Sequence, residues 1–218
     1  MESGAAAAAT WIVRQRSSSR ELGRRPQVLI PDVYKGKVGV NKEEASHLMG
    51  ELDFQNAVKE ISTAAAYLKQ SGAPHVGVVG FCMGGALALG SLAASPDIDA
   101  GAPFYGLNRG LFDVKTLMKP VQGHFGAEDT MEGFSDPLTG RKLAQDLTRA
   151  GNEHAEAYVY EDVGHAFMND SPAPWKTFDA RQKEMGFPPY RADRAEMAWT
   201  RLLSFFDLWL KSYEHVEL

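Results

Sequence analysis

An α/β fold, with a mostly parallel sheet covered by helices on both faces, is predicted by three features of the sequence. From Gln27 onward short strand-like runs alternate with longer helical patterns, and strands separated by helices pair in parallel. The helical stretches repeat their apolar residues at the spacing of amphipathic helices. Residues 76–95 carry no charge at all, yet Gly77, Gly80, Gly84, Gly85 and Gly90 break them into a short strand, a tight turn and a small-residue helix. A membrane span would not be divided in this way.

Composition bounds the function. The 218 residues suit one domain with a substantial core, and 44% hydrophobic with 23% charged residues argue against disorder. The net charge is −5, and no dense Lys/Arg patch interleaves with aromatics, which argues against a nucleic-acid partner. A lone cysteine, Cys82, cannot form an internal disulfide, so a reducing compartment is the natural setting. Neither H-E-x-x-H nor C-x-x-C spacing occurs, so a metal is not expected.

The first 25 residues stand apart. Arg14, Arg16, Arg20, Arg24 and Arg25 face only Glu2 and Glu21, beside an alanine run (Ala5 to Ala9) and three serines (Ser17 to Ser19). Arg- and Ser-rich, acid-poor segments resemble organelle transit peptides. The same residues also read as a frayed arm, or as a strand over "TWIVRQ" followed by a helix over "SSRELGRR". Localisation follows that choice: cytoplasmic, or in a plastid or mitochondrion if residues 1–25 act as a transit peptide.

"QVLIP" then reads as a strand ended by Pro31. "EEASHLMGELDFQNAVKEISTAAAYLKQSG" reads as two helical pieces, broken at Gly50 and recapped at Asp53. The strand "HVGVVG", a helix from Met83 to about Ala94 and the strand "AGAPFYG" follow. After them come the strand "VQGHFG", the helix "RKLAQDLTRAG" stopped by Gly151, and the strand "AEAYVY". A final helix carries Ala195, Ala198, Trp199, Leu202, Phe206 and Trp209 on one face. Residues 170–190 hold four prolines and four aromatics. They are too long for an ordinary connection and read as a lid or pocket rim, or equally as a structural excursion on the surface.

"GFCMGG" carries the chemistry. Gly80-x-Cys82-x-Gly84 follows a strand and opens a helix, the G-x-nucleophile-x-G elbow with Cys in place of Ser. The nucleophile there takes a strained conformation with φ > 0, and side chains at the flanking positions would collide with strand and helix. The elbow sets the sulfur at a helix N-terminus, where the dipole favours a thiolate, and aims the Met83 N–H at a developing oxyanion. As a structural alternative, Cys82 is a small buried hydrophobe.

A thiol nucleophile needs a base, and the base an orienting acid. Asp129 follows the strand "VQGHFG", with Glu128 as an adjacent competitor, and His165 follows the strand "AEAYVY" on a Gly-led turn. Neither His47, His75, His124, His154 nor His215 occupies an equivalent strand end.

The stretches "PDVYKGK", "VGVVGFCMGGALAL", "PFYG", "HFGAED" and "VGHAFMN" resemble the dienelactone hydrolase (carboxymethylenebutenolidase) family of α/β-hydrolases. The resemblance implies an α/β-hydrolase fold over residues 26–218, shortened at its N-terminus. It implies hydrolysis of a small lactone or ester with Cys82 as nucleophile, His165 as base, Asp129 as its orienter and no cofactor. Tyr34, Phe81, Tyr105 and Phe167 either line the pocket or belong to the core. The partner implied is a small-molecule substrate, without a membrane, and the sequence carries no signal of oligomeric state.

Two departures from the family pattern matter. Family members usually carry about three further strands before "QVLIP", and the loop after the third supplies a second oxyanion donor and an acidic residue; no counterpart is found here. Either residues 10–15 insert as a substitute strand, or the gap closes, or a partner chain fills it. Weaker ester hydrolysis than in full-length relatives is expected, or a binding scaffold that keeps the fold without turnover. Secondly, the position shortly after His165 where some members carry a substrate-binding arginine reads Met168-Asn169.

Overall fold

Two crossover helices and one long loop hold four strands parallel and bring their C-terminal ends to one edge of the sheet. The computed structural model describes residues 10–15, 27–39 and 42–211. Along the chain these form β1 (Thr10–Gln15), β2 (Gln27–Leu29), α1 (Lys42–Gly50), α2 (Phe54–Gln70), β3 (His75–Phe81), α3 (Met83–Ala94) and β4 (Ala100–Phe104). Then follow β5 (Val121–Gly126), α4 (Pro137–Arg149), β6 (Ala155–Tyr160), α5 (Phe178–Met185) and α6 (Ala192–Leu210). The strand order is β2-β1-β3-β4-β5-β6. The helix expected over "SSRELGRR" lies outside the described residues.

β3, β4, β5 and β6 are parallel. β1 sits between β2 and β3 and runs against both, with Thr10 opposite Gly80, Gln15 opposite His75, and Ile12 opposite Leu29. Its backbone groups fill the place next to β3, the strand that leads to Cys82. The direction has a physical reason: a parallel neighbour requires a crossover of a dozen or more residues, usually helical, whereas an antiparallel one accepts the short connection available between Gln15 and Gln27.

Strand parity divides the core in two. Val76 and Val78 of β3, with Val121 and Phe125 of β5, face α2, α3 and α4, where Ile61, Leu87, Leu92, Leu143 and Leu147 are buried. Val79, Ala100, Ala102 and Phe104 face the other side, against Ala198, Leu202, Phe205, Phe206 and Leu210 of α6. Ala57, Val58, Ile61, Ala65 and Leu68 form the buried stripe of α2, and Asp53 caps it by accepting the Asn56 N–H. α3 is buried from Met83 to Leu92 without interruption, which explains why it lacks an amphipathic pattern. α4 begins a turn earlier than its apolar pattern suggests, because Asp136 caps Thr139 N–H and Pro137 suits the first position.

Candidate active site

The elbow between β3 and α3 has the strained backbone that its glycines anticipate. Cys82 has φ 55° and ψ −124°, and its amide donates to Phe104 O at 3.0 Å. A Cβ on Gly80 would lie 1.9 Å from Gly84 O, and one on Gly106 only 1.8 Å from Cys82 O. Neither position admits a side chain without moving backbone. Tyr105 (φ 35°) and Ala166 (φ 58°) are also non-glycine residues at positive φ. Three such positions around one site are a strain the surrounding packing must maintain.

Cys82, His165 and Asp129 meet. His165 Nε2 lies 3.2 Å from Cys82 Sγ, and His165 Nδ1 lies 2.8 Å from Asp129 Oδ2. Asp129 is buried and its other oxygen accepts the Met131 N–H. Glu128, the competitor, is exposed; its backbone N–H donates to Val163 O at 2.9 Å and ties the Asp129 loop to the His165 loop. Burial opposes a charge on His165, but hydrogen bonds to Asp129 and Cys82 and their charges outweigh it, and the imidazole is pushed up to about 9. Met83 opens α3, so its N–H has no carbonyl partner within the helix.

The aromatic candidates divide by environment. The Tyr34 hydroxyl lies 3.3 Å from Met83 Sδ and is half-buried. Phe81 packs on Phe104 at 4.9 Å and is also half-buried. Tyr105 is buried, edge-on to His165 at 5.3 Å, and burial with the nearby Cys82 charge holds its phenol well above the ordinary value. Phe167 is buried behind the site among Phe104, Tyr105 and Tyr160. His124, inside β5, is fully buried; it stacks on Phe104 at 4.0 Å and meets the Tyr160 hydroxyl at 2.8 Å. Desolvation pulls it down to about 3 and keeps it neutral.

Two neighbours of His165, and one buried charge nearby in the chain, carry no signal in the sequence. Ser135 Oγ stands 3.1 Å from His165 Nδ1, and no sequence pattern marks it. The 170–190 stretch folds as α5, capped by Thr177 and ended by left-handed Gly186, and carries the Phe187 ring to 5.0 Å from His165. Arg181 of α5 is buried, with Nε and Nη1 unpaired among the described residues and Nη2 only 3.5 Å from Pro188 O. Among the described residues no helix is long and apolar enough to cross a membrane.

Comparison with known proteins gives a consistent set of likenesses. The sequence model of the dienelactone hydrolase family matches residues 27–210. Protein usf of Aquifex pyrophilus is 28% identical over 189 residues, covering 83% of this chain and 74% of that one. A protein of Aquifex aeolicus named "Putative carboxymethylenebutenolidase" is 27% identical over 190 residues, with coverage of 83% and 74%. A solved dienelactone hydrolase-like promiscuous phosphotriesterase from metagenomic libraries shares the fold, with a TM-score of 0.64 at 18% identity over 85% of this chain and 75% of that one.

Proposed function

The chain belongs to the dienelactone hydrolase family, and from that premise we propose that it hydrolyses a small lactone or ester through an acyl-enzyme on Cys82. The observation that carries this reading is the unbroken line from Cys82 Sγ through His165 to Asp129, at 3.2 and 2.8 Å. Its three members stand at the C-terminal ends of β3, β5 and β6, where ligands bind in open α/β sheets.

In the acylation step the Cys82 sulfur adds to the ester carbonyl carbon, and the carbonyl electron pair moves to oxygen beside the Met83 N–H. Collapse expels the alcohol, which takes the proton from His165 Nε2. The sulfur is then a neutral thioester. Both of Cys82's contributions to the raised His165 value are lost, leaving burial opposed by Asp129 alone. The neutral imidazole that results can take a proton from water as the water attacks the thioester. The carbon–sulfur bond breaks, and the sulfur regains its protonated His165 partner.

An activated aryl ester tests the proposal. A burst of phenolate matching the enzyme concentration, with an acyl mass on Cys82, is expected, and Cys82→Ala should give neither. Turnover that survives Cys82→Ala overturns the mechanism. Reaction of Cys82 with alkylating agents but with no ester would leave a scaffold that keeps the fold without turnover.

A further inference from the structure

An oxyanion is stabilised by donors fixed in advance around the position that it will occupy. The Met83 N–H is one. The connection that follows β1 begins at the wrong end of the sheet to provide another: β1 is antiparallel, and its last residue, Gln15, pairs with His75 at the end of β3 remote from Cys82.

Tyr34 reaches the site from the turn after β2. Asp32 folds the turn after β2, its carboxylate accepting the Tyr34 N–H at 3.0 Å and the Gly36 N–H at 2.6 Å. Lys37 N–H returns to Tyr34 O at 3.1 Å, and Lys35 reaches Glu60 of α2 at 2.9 Å. From this turn the phenol extends to Met83, the residue whose amide faces the oxyanion, and its hydroxyl donates to the Met83 sulfur at 3.3 Å. A thioether is a weak acceptor, so little is given up when a stronger one arrives.

We infer that Tyr34 is a further catalytic residue, its hydroxyl turning from the Met83 thioether to the oxyanion formed at Cys82 and acting as the second donor beside the Met83 N–H. This rests on the acyl-transfer reading above. Tyr34 keeps its proton throughout, because it stabilises charge by a hydrogen bond and transfers nothing. Burial, and then the charge of Cys82, raise its ionisation above the ordinary tyrosine value, so the donor persists at neutral pH.

Two reactions of the same sulfur separate this role from a structural one. Attack on p-nitrophenyl acetate builds an oxyanion, whereas displacement of iodide from iodoacetamide builds none at the carbon attacked. Tyr34→Phe should slow acylation by about 10²-fold or more, chiefly in the rate constant at saturation, while alkylation by iodoacetamide keeps its parental rate. Equal acylation by parent and variant overturns the inference. If Tyr34→Phe loses alkylation as well, a fluorinated tyrosine placed at position 34 decides: it keeps the hydroxyl but ionises at lower pH, so the alkaline loss of acylation must move to lower pH, and an unmoved limb overturns the role. A parent chain that alkylates but never acylates overturns the acyl-transfer reading itself, and the role of Tyr34 with it.

Discussion

Ser135 Oγ stands 3.1 Å from His165 Nδ1, the nitrogen that also meets Asp129 at 2.8 Å. One ring N–H thus has two buried oxygens before it, and the imidazole is fixed in orientation as well as in tautomer. Ser135→Ala removes the weaker of the two and should cost about 1 kcal/mol, roughly fivefold in kcat, with little change in KM. Kinetics on an aryl ester measure this; a loss as large as that of Asp129→Asn would make Ser135 an equal partner.

The imidazole of His165 should titrate near 9 in the free protein, because hydrogen bonds and charges from Asp129 and Cys82 overcome its burial. Cys82→Ala removes two of the four raising contributions, so its titration should move down by at least a unit. Carbon-detected NMR of the histidine ring reads this shift directly. An unmoved value would mean that the sulfur and imidazole are not coupled.

Stability should depend on pH through the same group. The folded value, about 9, lies above the ordinary 6.5, so the folded state binds the proton more tightly than the unfolded chain does. The stabilisation is therefore complete below pH 6.5 and lost as pH rises through about 9. One pKa unit corresponds to about 1.4 kcal/mol, so a few kcal/mol are at stake. Denaturant unfolding of the parent should weaken between pH 6.5 and 9, and His165→Gln should flatten that slope.

Arg181 gives a prediction of opposite sense. Its guanidinium is buried, stacked over Phe178 at 4.9 Å, and short of partners among the described residues, and desolvation lowers its ionisation. Replacing a poorly paired buried charge by an apolar side chain of similar length is neutral or stabilising. Arg181→Met should hold or raise the denaturation midpoint. A loss beyond about 2 kcal/mol would show that the guanidinium is well paired in the folded protein.

Phe187 tests whether the 170–190 segment shapes the substrate. Its half-buried ring borders His165, and Phe187→Ala would open that border. Bulky esters should then change in kcat/KM more than acetyl esters do. Parallel changes in both would make the segment a packing excursion.

Much of this geometry was legible from order alone. Cys82, Asp129 and His165 each follow a strand-like run, and the parallel set brings such ends together, so three distant positions converge without any contact being predicted. The strand over residues 10–15 was likewise visible in its composition, but its direction was not: hydrophobic pattern records which residues are apolar and is the same read either way. α5 escaped notice because its buried residue is Arg181, the type least expected to mark an inward face. Ser135 was hidden for a simpler reason, since a serine before a capping aspartate reads as ordinary turn chemistry.

The placement of β1 also fixes an order of assembly. Thr10 must wait for Gly80, so on the ribosome the first strand emerges long before its inner partner exists. β2 in turn pairs with β1, and among the described residues it has no other neighbour in the sheet. β1 therefore cannot join β3 until the chain has been made through Gly80, and closing so distant a pairing is slow, whereas its pairing with β2 is local. Until β1 docks, the edge of β3, the strand that leads to Cys82, is left unpaired on that side.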